Sequence, residues 1–236
     1  MKSSPSRRRR ARPARPARPS RRSASATSTH RRSREIIEAA ARVFAELGYY
    51  GATTQKIADV LGMRQASLYY YLPSKEAALE QVCKEGVAGY VETARAIAES
   101  PGTAAERLAT LIRAHIAPNV GRSDFVRVFL TQRQFLPAES RKRIGQWSRT
   151  LERTIEDVIR AGIQQRAFRK DADPRLATLA ILGMCNAVAA WYPKENVSIE
   201  RIGAQLAALV LQGLAERAGG PGGPGGPIDA GRAKFN

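Results

Sequence analysis

The chain reads as all-α: nine helices, divided into a small N-terminal three-helix unit and a larger C-terminal helical domain. Three observations predict this. Apolar residues recur at helical spacing across residues 31–217, with no convincing strand and no internal repeat. Residues 53–75, TTQKIADVLGMRQASLYYYLPSK, have the form of two short helices joined by a tight turn. Both ends are of low complexity, so the folded body lies between them.

Residues 1–30, which include SRRRRARPARPARPSRRSASATST, offer no apolar surface to bury and are expected to be a disordered basic arm. The first helix runs from about Ser33 to Leu47. Ile36, Ile37, Ala40, Val43, Phe44 and Leu47 share one stripe, and Gly48 is the stop. In the next two helices Ile57, Ala58 and Leu61 form an apolar face, Gly62 permits the turn and Leu68 anchors the second member. Ser74 caps a long fourth helix with a stripe of Leu79, Val82, Gly86, Tyr90 and Ile97, ending at Ser100-Pro101-Gly102. Thr103 and Glu106 form a capping box for the fifth, which reaches His115. Ser123 opens a sixth, carrying Phe125, Val128, Phe129 and Phe135 and stopped by Pro137. The seventh carries Ile144, Trp147, Leu151, Ile155, Val158 and Ile159. Asp173-Pro174 starts the eighth, with Leu176, Leu179, Gly183, Ala187 and Trp191. Ser198 starts the ninth, with Ile202, Leu206, Leu209, Val210 and Leu214. Residues 218–236 are expected to be a flexible Gly/Pro tail.

The charge is unevenly placed. Of a net +18, residues 1–34 hold 13 Lys/Arg and no acid, while residues 35–236 hold 26 basic against 21 acidic side chains. A basic surplus favours a polyanion, either nucleic acid or an anionic membrane. Cys83 and Cys185 lack metal-ligand spacing and read as reduced core thiols of a cytosolic protein. No uninterrupted apolar run reaches the length of a bilayer span. Twin arginines are not followed by an apolar segment, and the Arg-Pro steps oppose the amphipathic helix of a transit peptide. Enzyme chemistry is poorly provided for. There are two histidines, His30 and His115, and no Gly-rich phosphate loop after a strand, metal-ligand cluster or nucleophile elbow. No catalytic residue, metal or cofactor is expected.

A helix presenting Gln65, Ser67, Tyr69, Tyr70 and Tyr71 suits a DNA groove better than a core. The plainer alternative is aromatic packing. Three consecutive tyrosines span nearly 300° of a helix (about 100° per residue), so they cannot all face inward; Tyr71 is the one expected inside. The run FAELGYYGATTQKIADVLGMRQASLYYYLPSKEAAL, 44–79, resembles the N-terminal domain of the TetR/AcrR family of bacterial transcriptional regulators. Phe44, Gly48, Thr54, Ile57-Ala58, Gly62, Leu68-Tyr69, Tyr71 and Ser74-Lys75-Glu76 carry the match. The resemblance implies an all-α homodimer whose helix-turn-helix domain, 31–80, binds a palindromic operator in double-stranded DNA. A second domain, 81–217, would then hold a small-molecule effector and the dimer interface.

In that reading Thr53 or Thr54 caps the second helix, whose first N–H groups meet a phosphate, with Gln55 and Lys56 beside it. Gln65 and Ser67 open the recognition helix toward base edges, and Tyr69 and Tyr70 reach phosphates or thymine methyls. Lys75 resembles the family's phosphate-contacting lysine. Arg64 and Ala66 depart from the Ser/Thr and Gly of many relatives; Arg64 gives up a helix cap and adds a potential phosphate or guanine contact. The basic arm is expected to lie along the duplex.

The resemblance also implies a ligand pocket. His115 and Asn186 are polar residues on otherwise apolar helices, and Phe125, Phe129, Trp147 and Trp191 are large enough to line a cavity, although aromatic stripes usually serve a core. A Gly-Met-x-Asn helix ending in Trp-Tyr-Pro (183–193) is similar to relatives that regulate lipid and steroid catabolism, some of which sense acyl-CoA thioesters. Arg141-Lys142-Arg143 would then face coenzyme A phosphates. Small residues in close repetition, Ala177, Ala180, Gly183, Ala187 and Gly203, Ala207, Val210, Gly213, suit a four-helix interface shared by two subunits. The expected protein is a cytoplasmic repressor, associated with the nucleoid when bound, and has no membrane partner. The alternative is a nucleoid-type protein that binds DNA without sequence choice.

Overall fold

Helical periodicity is borne out along the chain. The computed structural model describes residues 21–216, and among them there are ten α-helices and no strand. They are α1 (Arg21–Gly51), α2 (Thr54–Val60), α3 (Gln65–Tyr69), α4 (Lys75–Val87), α5 (Tyr90–Ala98), α6 (Ala104–Ile116), α7 (Asn119–Gln132), α8 (Ala138–Gln164), α9 (Pro174–Trp191) and α10 (Ile199–Leu214). Residues 1–20 and 217–236 lie outside the described residues, and with them most of the arm and the Gly/Pro tail.

The helix starts follow local capping chemistry. The side chains of Thr53, Ser74, Thr103, Asp173 and Ser198 each accept a backbone N–H in the first turn of α2, α4, α6, α9 and α10. Thr103 and Glu106 complete the capping box. Arg64 caps α3 without a side-chain bond.

Three differences from the sequence reading have physical causes. First, α1 begins at Arg21 rather than near Ser33. After Pro19 there is no proline or glycine to stop the helix before Gly48, whose φ of 69° ends its regular part. Second, the long fourth helix is broken. Ala88 is extended and Gly89 is left-handed, φ 80°, so one expected helix becomes α4 and α5. Third, α7 starts at Asn119 but leaves helical geometry at Val120–Arg122, with Gly121 at φ 75°. It is regular only from Ser123, the start read from the sequence.

Two cores result. The first joins Phe44, Ile57, Leu68, Leu79 and Val82 to Val128 of α7 and Ile144 of α8, so it runs past residue 80 into the second half of the chain. The second is built from Leu108, Ile112, Ile159, Phe168, Ile181 and Ile202. Gln132, buried on α7, donates to the Phe44 carbonyl at 2.7 Å and ties α7 to α1.

The 18 residues of α9 have a mean hydropathy of 1.2, which by length and composition alone would suffice to cross a membrane. The run is not uninterrupted, however: Arg175, Thr178 and Asn186 lie within it, as the sequence reading has it.

Candidate nucleic-acid interface and ligand cavity

Leu68 is fully buried and pins α3 to the first core. The turn that positions α3 is made by Gly62 (φ 59°) and by Met63 N–H bonding back to the Ala58 carbonyl. With Leu68 inside, Arg64, Ala66, Ser67, Tyr69 and Tyr70 are exposed, Tyr70 at 81% and Tyr69 at 47%. Tyr71 packs partly buried against the core. Two exposed aromatic rings thus lie beside exposed polar side chains on one short helix.

The polar residues around α3 are cross-linked. Gln65 Nε2 donates to Thr54 Oγ1 at 2.8 Å and to the Tyr69 hydroxyl at 3.3 Å, and the two hydroxyls lie 3.3 Å apart. Thr54 is therefore a buried strut between α2 and α3, while Thr53 caps α2. Gln55 is exposed and donates to Asp59 at 2.7 Å; Lys56 Nζ holds the Gly51 carbonyl at 2.9 Å. Lys75 Nζ donates to the Tyr49 carbonyl at 3.1 Å and sits 4.1 Å above the Tyr49 ring. The Tyr49 hydroxyl donates to Glu76 at 2.7 Å, which pushes the phenol up to about 12 and lowers the Glu76 carboxyl. These bonds lock the end of α1 onto the start of α4, which fixes the base of the helix-turn-helix.

α4 in turn is tied to α8 through Glu80. Its carboxylate accepts from Ser140 (2.6 Å), Arg143 (2.7 Å) and Lys84 (3.0 Å), and these bonds, Ser140 first, hold it down at about 2. Arg141 donates to the Gln134 carbonyl at 2.9 Å, so two of the three cations of the 141–143 triplet already have intramolecular partners.

A cavity of about 310 Å³ lies between α4, α5, α6, α7, α8 and α9. Ligand pockets start at about this size. It brings together His115, Phe129, Trp147 and Asn186, four of the six residues singled out from the sequence. The other two lie elsewhere. Phe125 packs on the N-terminal core, where its backbone meets Gly86, and Trp191 is an exposed residue at the end of α9. Residues the sequence reading did not select complete the wall: Tyr90, Asn119, Arg133, Ser148 and Glu152. Arg133 lies 5.1 Å over the Phe129 ring and forms no ion pair among the described residues; Glu152 pairs with Arg175 at 2.7 Å. Asn119 was hidden by the break at Val120–Arg122, which separates it from the regular part of α7. Tyr90 was masked by its apparent position inside a continuous helix.

His115 Nε2 lies 3.0 Å from Asn186 Oδ1, and the Tyr90 ring meets the imidazole edge-on at 5.1 Å. Burial pushes the imidazole below its ordinary value, partly offset by Asn186. It also raises the Tyr90 phenol and the Cys185 thiol to about 12. Tyr90, His115 and Leu151 divide this cavity from a second one of about 110 Å³.

The surface of α9 is unusually apolar for an exposed helix. Leu176 (65% exposed), Leu179, Ala180, Gly183 and Ala187 form its open stripe, with Leu179 and Gly183 also lining the cavity; Leu209 on α10 is exposed as well. A Cβ placed on Gly183 or Gly213 would touch nothing. Gly203 is different: its face packs on Arg113 and Ile116 of α6, so that part of the small-residue pattern serves internal packing.

Comparison with known proteins places both halves of the chain. Residues 36–82 match the family model described as bacterial regulatory proteins, tetR family, and residues 101–214 match the tetracyclin repressor-like C-terminal domain. The chain is 28% identical to the HTH-type transcriptional repressor KstR2 of Mycobacterium tuberculosis over 193 residues, 81% of this chain and 96% of that one. The solved structure of that ketosteroid transcriptional regulator superposes with a TM-score of 0.74, covering 78% of this chain and 95% of the other at 27% identity. AibR, solved in complex with isovaleryl coenzyme A and operator DNA, gives 0.69 at 27% identity, covering 75% of this chain and 97% of its own. FadR of Bacillus subtilis, in complex with stearoyl-CoA, gives 0.63 at 25%, covering 76% and 98%.

Proposed function

We propose, from the premise that this chain belongs to the TetR family of bacterial regulatory proteins, that it is a ligand-responsive repressor. Two copies bind a palindromic operator through α3, and an apolar effector in the 310 Å³ cavity releases them. The observation that carries this reading is the arrangement of α3 and α4. α3 turns Ala66, Ser67, Tyr69 and Tyr70 outward from a single buried anchor, Leu68. α4, whose first residue is Lys75, ends at Gly86 and Val87 on the wall of the cavity. One rigid helix therefore touches both the ligand space and the DNA-reading unit. Ligand and operator that prefer different α4 positions each lower the affinity for the other.

Each reading residue has a role. The first N–H groups of α2, flanked by Gln55 and Lys56, meet a phosphate. Gln65, Ala66 and Ser67 face base edges, and Arg64, Tyr69, Tyr70 and Lys75 border the backbone. The open stripe of α9 with Leu209 is the surface on which two copies pair. Structural neighbours bound to coenzyme A thioesters support an acyl-CoA effector, and Arg133 at the cavity wall is a suitable partner for a phosphate or a thioester oxygen. Selection of bound sequences from random DNA tests the reading. A palindromic consensus with a protected footprint is expected; uniform recovery of all sequences would instead indicate a non-specific nucleoid-type protein.

A further inference from the structure

We propose that the effector carries a carbonyl oxygen (ketone, ester or thioester) on an otherwise apolar body, that this oxygen accepts a hydrogen bond from Asn186 Nδ2, and that His115 is the positioning residue that sets the amide for it. The proposal rests on the cavity being the effector site.

The argument is one of donors and acceptors. Asn186 Oδ1 is the atom nearest His115 Nε2, at 3.0 Å. A carbonyl oxygen only accepts, so Nε2 carries the imidazole proton and Nδ1 does not. In this pairing the amide turns its oxygen toward the imidazole. Its NH2 group then points away from His115 and has no partner among the described residues, although Asn186 lines the cavity. The imidazole is held by the Asn186 bond and by the Tyr90 ring, which lies edge-on against it; its Nδ1 is buried and makes no hydrogen bond among the described residues. The rest of this end of the cavity is apolar, formed by Leu151, Leu182 and the buried free Cys185. When a ligand fills the space and excludes water, an amide left without an acceptor is penalised, and an apolar ligand lacking an oxygen must bear that penalty. Burial also keeps His115 neutral, so this end offers an oriented dipole instead of a cation.

The test uses two matched pairs titrated calorimetrically into the full chain. Decanoyl-CoA is compared with S-decyl-CoA, a thioether lacking only the carbonyl oxygen, and cyclodecanone with cyclodecane. The carbonyl member of a pair should bind about tenfold more tightly. Asn186→Leu and Asn186→Asp should both erase that preference, and His115→Phe should reduce it to less than about threefold. Retained operator binding shows that each variant is folded. The preference ratio is the decisive readout, because a merely structural role would weaken both members alike. Equal binding within both pairs to the unaltered chain overturns the carbonyl contact and leaves the cavity as an effector site. Binding of no member of either pair refutes the cavity as the effector site, and the proposal falls with it.

Discussion

Gly86 of α4 lines the cavity and abuts Phe125, which packs on the N-terminal core, and Gly86→Ala is the most direct test of the proposed coupling between cavity and helix-turn-helix. A Cβ at this position would lie 2.8 Å from the Phe125 carbonyl oxygen and 3.1 Å from the Phe129 Cβ. The first obstacle is backbone, which cannot rotate away. Restoring an ordinary contact requires α4 and α7 to separate by roughly half an ångström. Overpacking of this kind costs about 1–3 kcal/mol, and the better helix propensity of alanine returns about 0.5–1 kcal/mol. A net loss of about 1–2 kcal/mol lowers Tm by roughly 2–8 °C for a chain of this length. Because α4 runs from Gly86 to Lys75 as one rigid rod, the same wedge moves the base of the helix-turn-helix, and operator affinity should fall about fivefold or more without any effector. Gly145→Ala on α8 is the control. Its Cβ would meet only the Arg149 guanidinium at 3.9 Å, so Tm should hold or rise. Calorimetric unfolding and a gel shift on the selected operator measure both effects. If Gly86→Ala behaves like Gly145→Ala in both assays, α4 is not coupled to α7 as described.

Further outcomes follow from other contacts. Tyr70→Ala removes a ring that is 81% exposed, so operator affinity should drop about tenfold in a gel shift while Tm stays within 1–2 °C, roughly the noise of an exposed substitution. Leu179→Glu, on the open stripe of α9, should convert a dimer to a monomer by analytical ultracentrifugation and weaken operator binding with helicity unchanged. Glu80, 18% exposed and held at about 2, contributes stability that is fully present above about pH 4.5 and lost as pH falls through about 2. The full shift is worth roughly 3 kcal/mol, which water screening reduces to about 1–2 kcal/mol. Glu80→Gln should therefore cost that much at pH 7 in denaturant unfolding and little near pH 2.

How far the sequence could be read depends on what each signal encodes. Caps are local: Ser74, Thr103 with Glu106, Asp173-Pro174 and Ser198 each announce a helix start because the bond they make closes within three residues. The exposed face of α3 was legible for a related reason, since one buried Leu68 in a five-residue helix leaves its neighbours nowhere else to point. Cavity walls are different. Periodicity gives the apolar side of a helix but not what covers it. Phe125 and Phe129 lie one turn apart on α7, yet only Phe129 faces the cavity, because Gly86 lets α4 close over the Phe125 backbone. The same holds for Gly203, whose missing side chain serves α6 inside the subunit while Gly183 leaves α9 open.

The breaks at Gly89 and Gly121 tie these failures of reading together. Each is a left-handed glycine in a segment whose apolar spacing reads straight through or resumes a few residues later. Each replaces a stretch of regular helix with irregular backbone. Residues 88–90 and Pro118–Asn119, which flank the breaks, line the two cavities on either side of Tyr90 and His115. Protein interiors are close-packed, so a space of this size stands out, and here it lies beside two breaks in helical geometry. The interruptions that hide Tyr90 and Asn119 from a periodicity argument are thus the same ones that border the ligand-sized space.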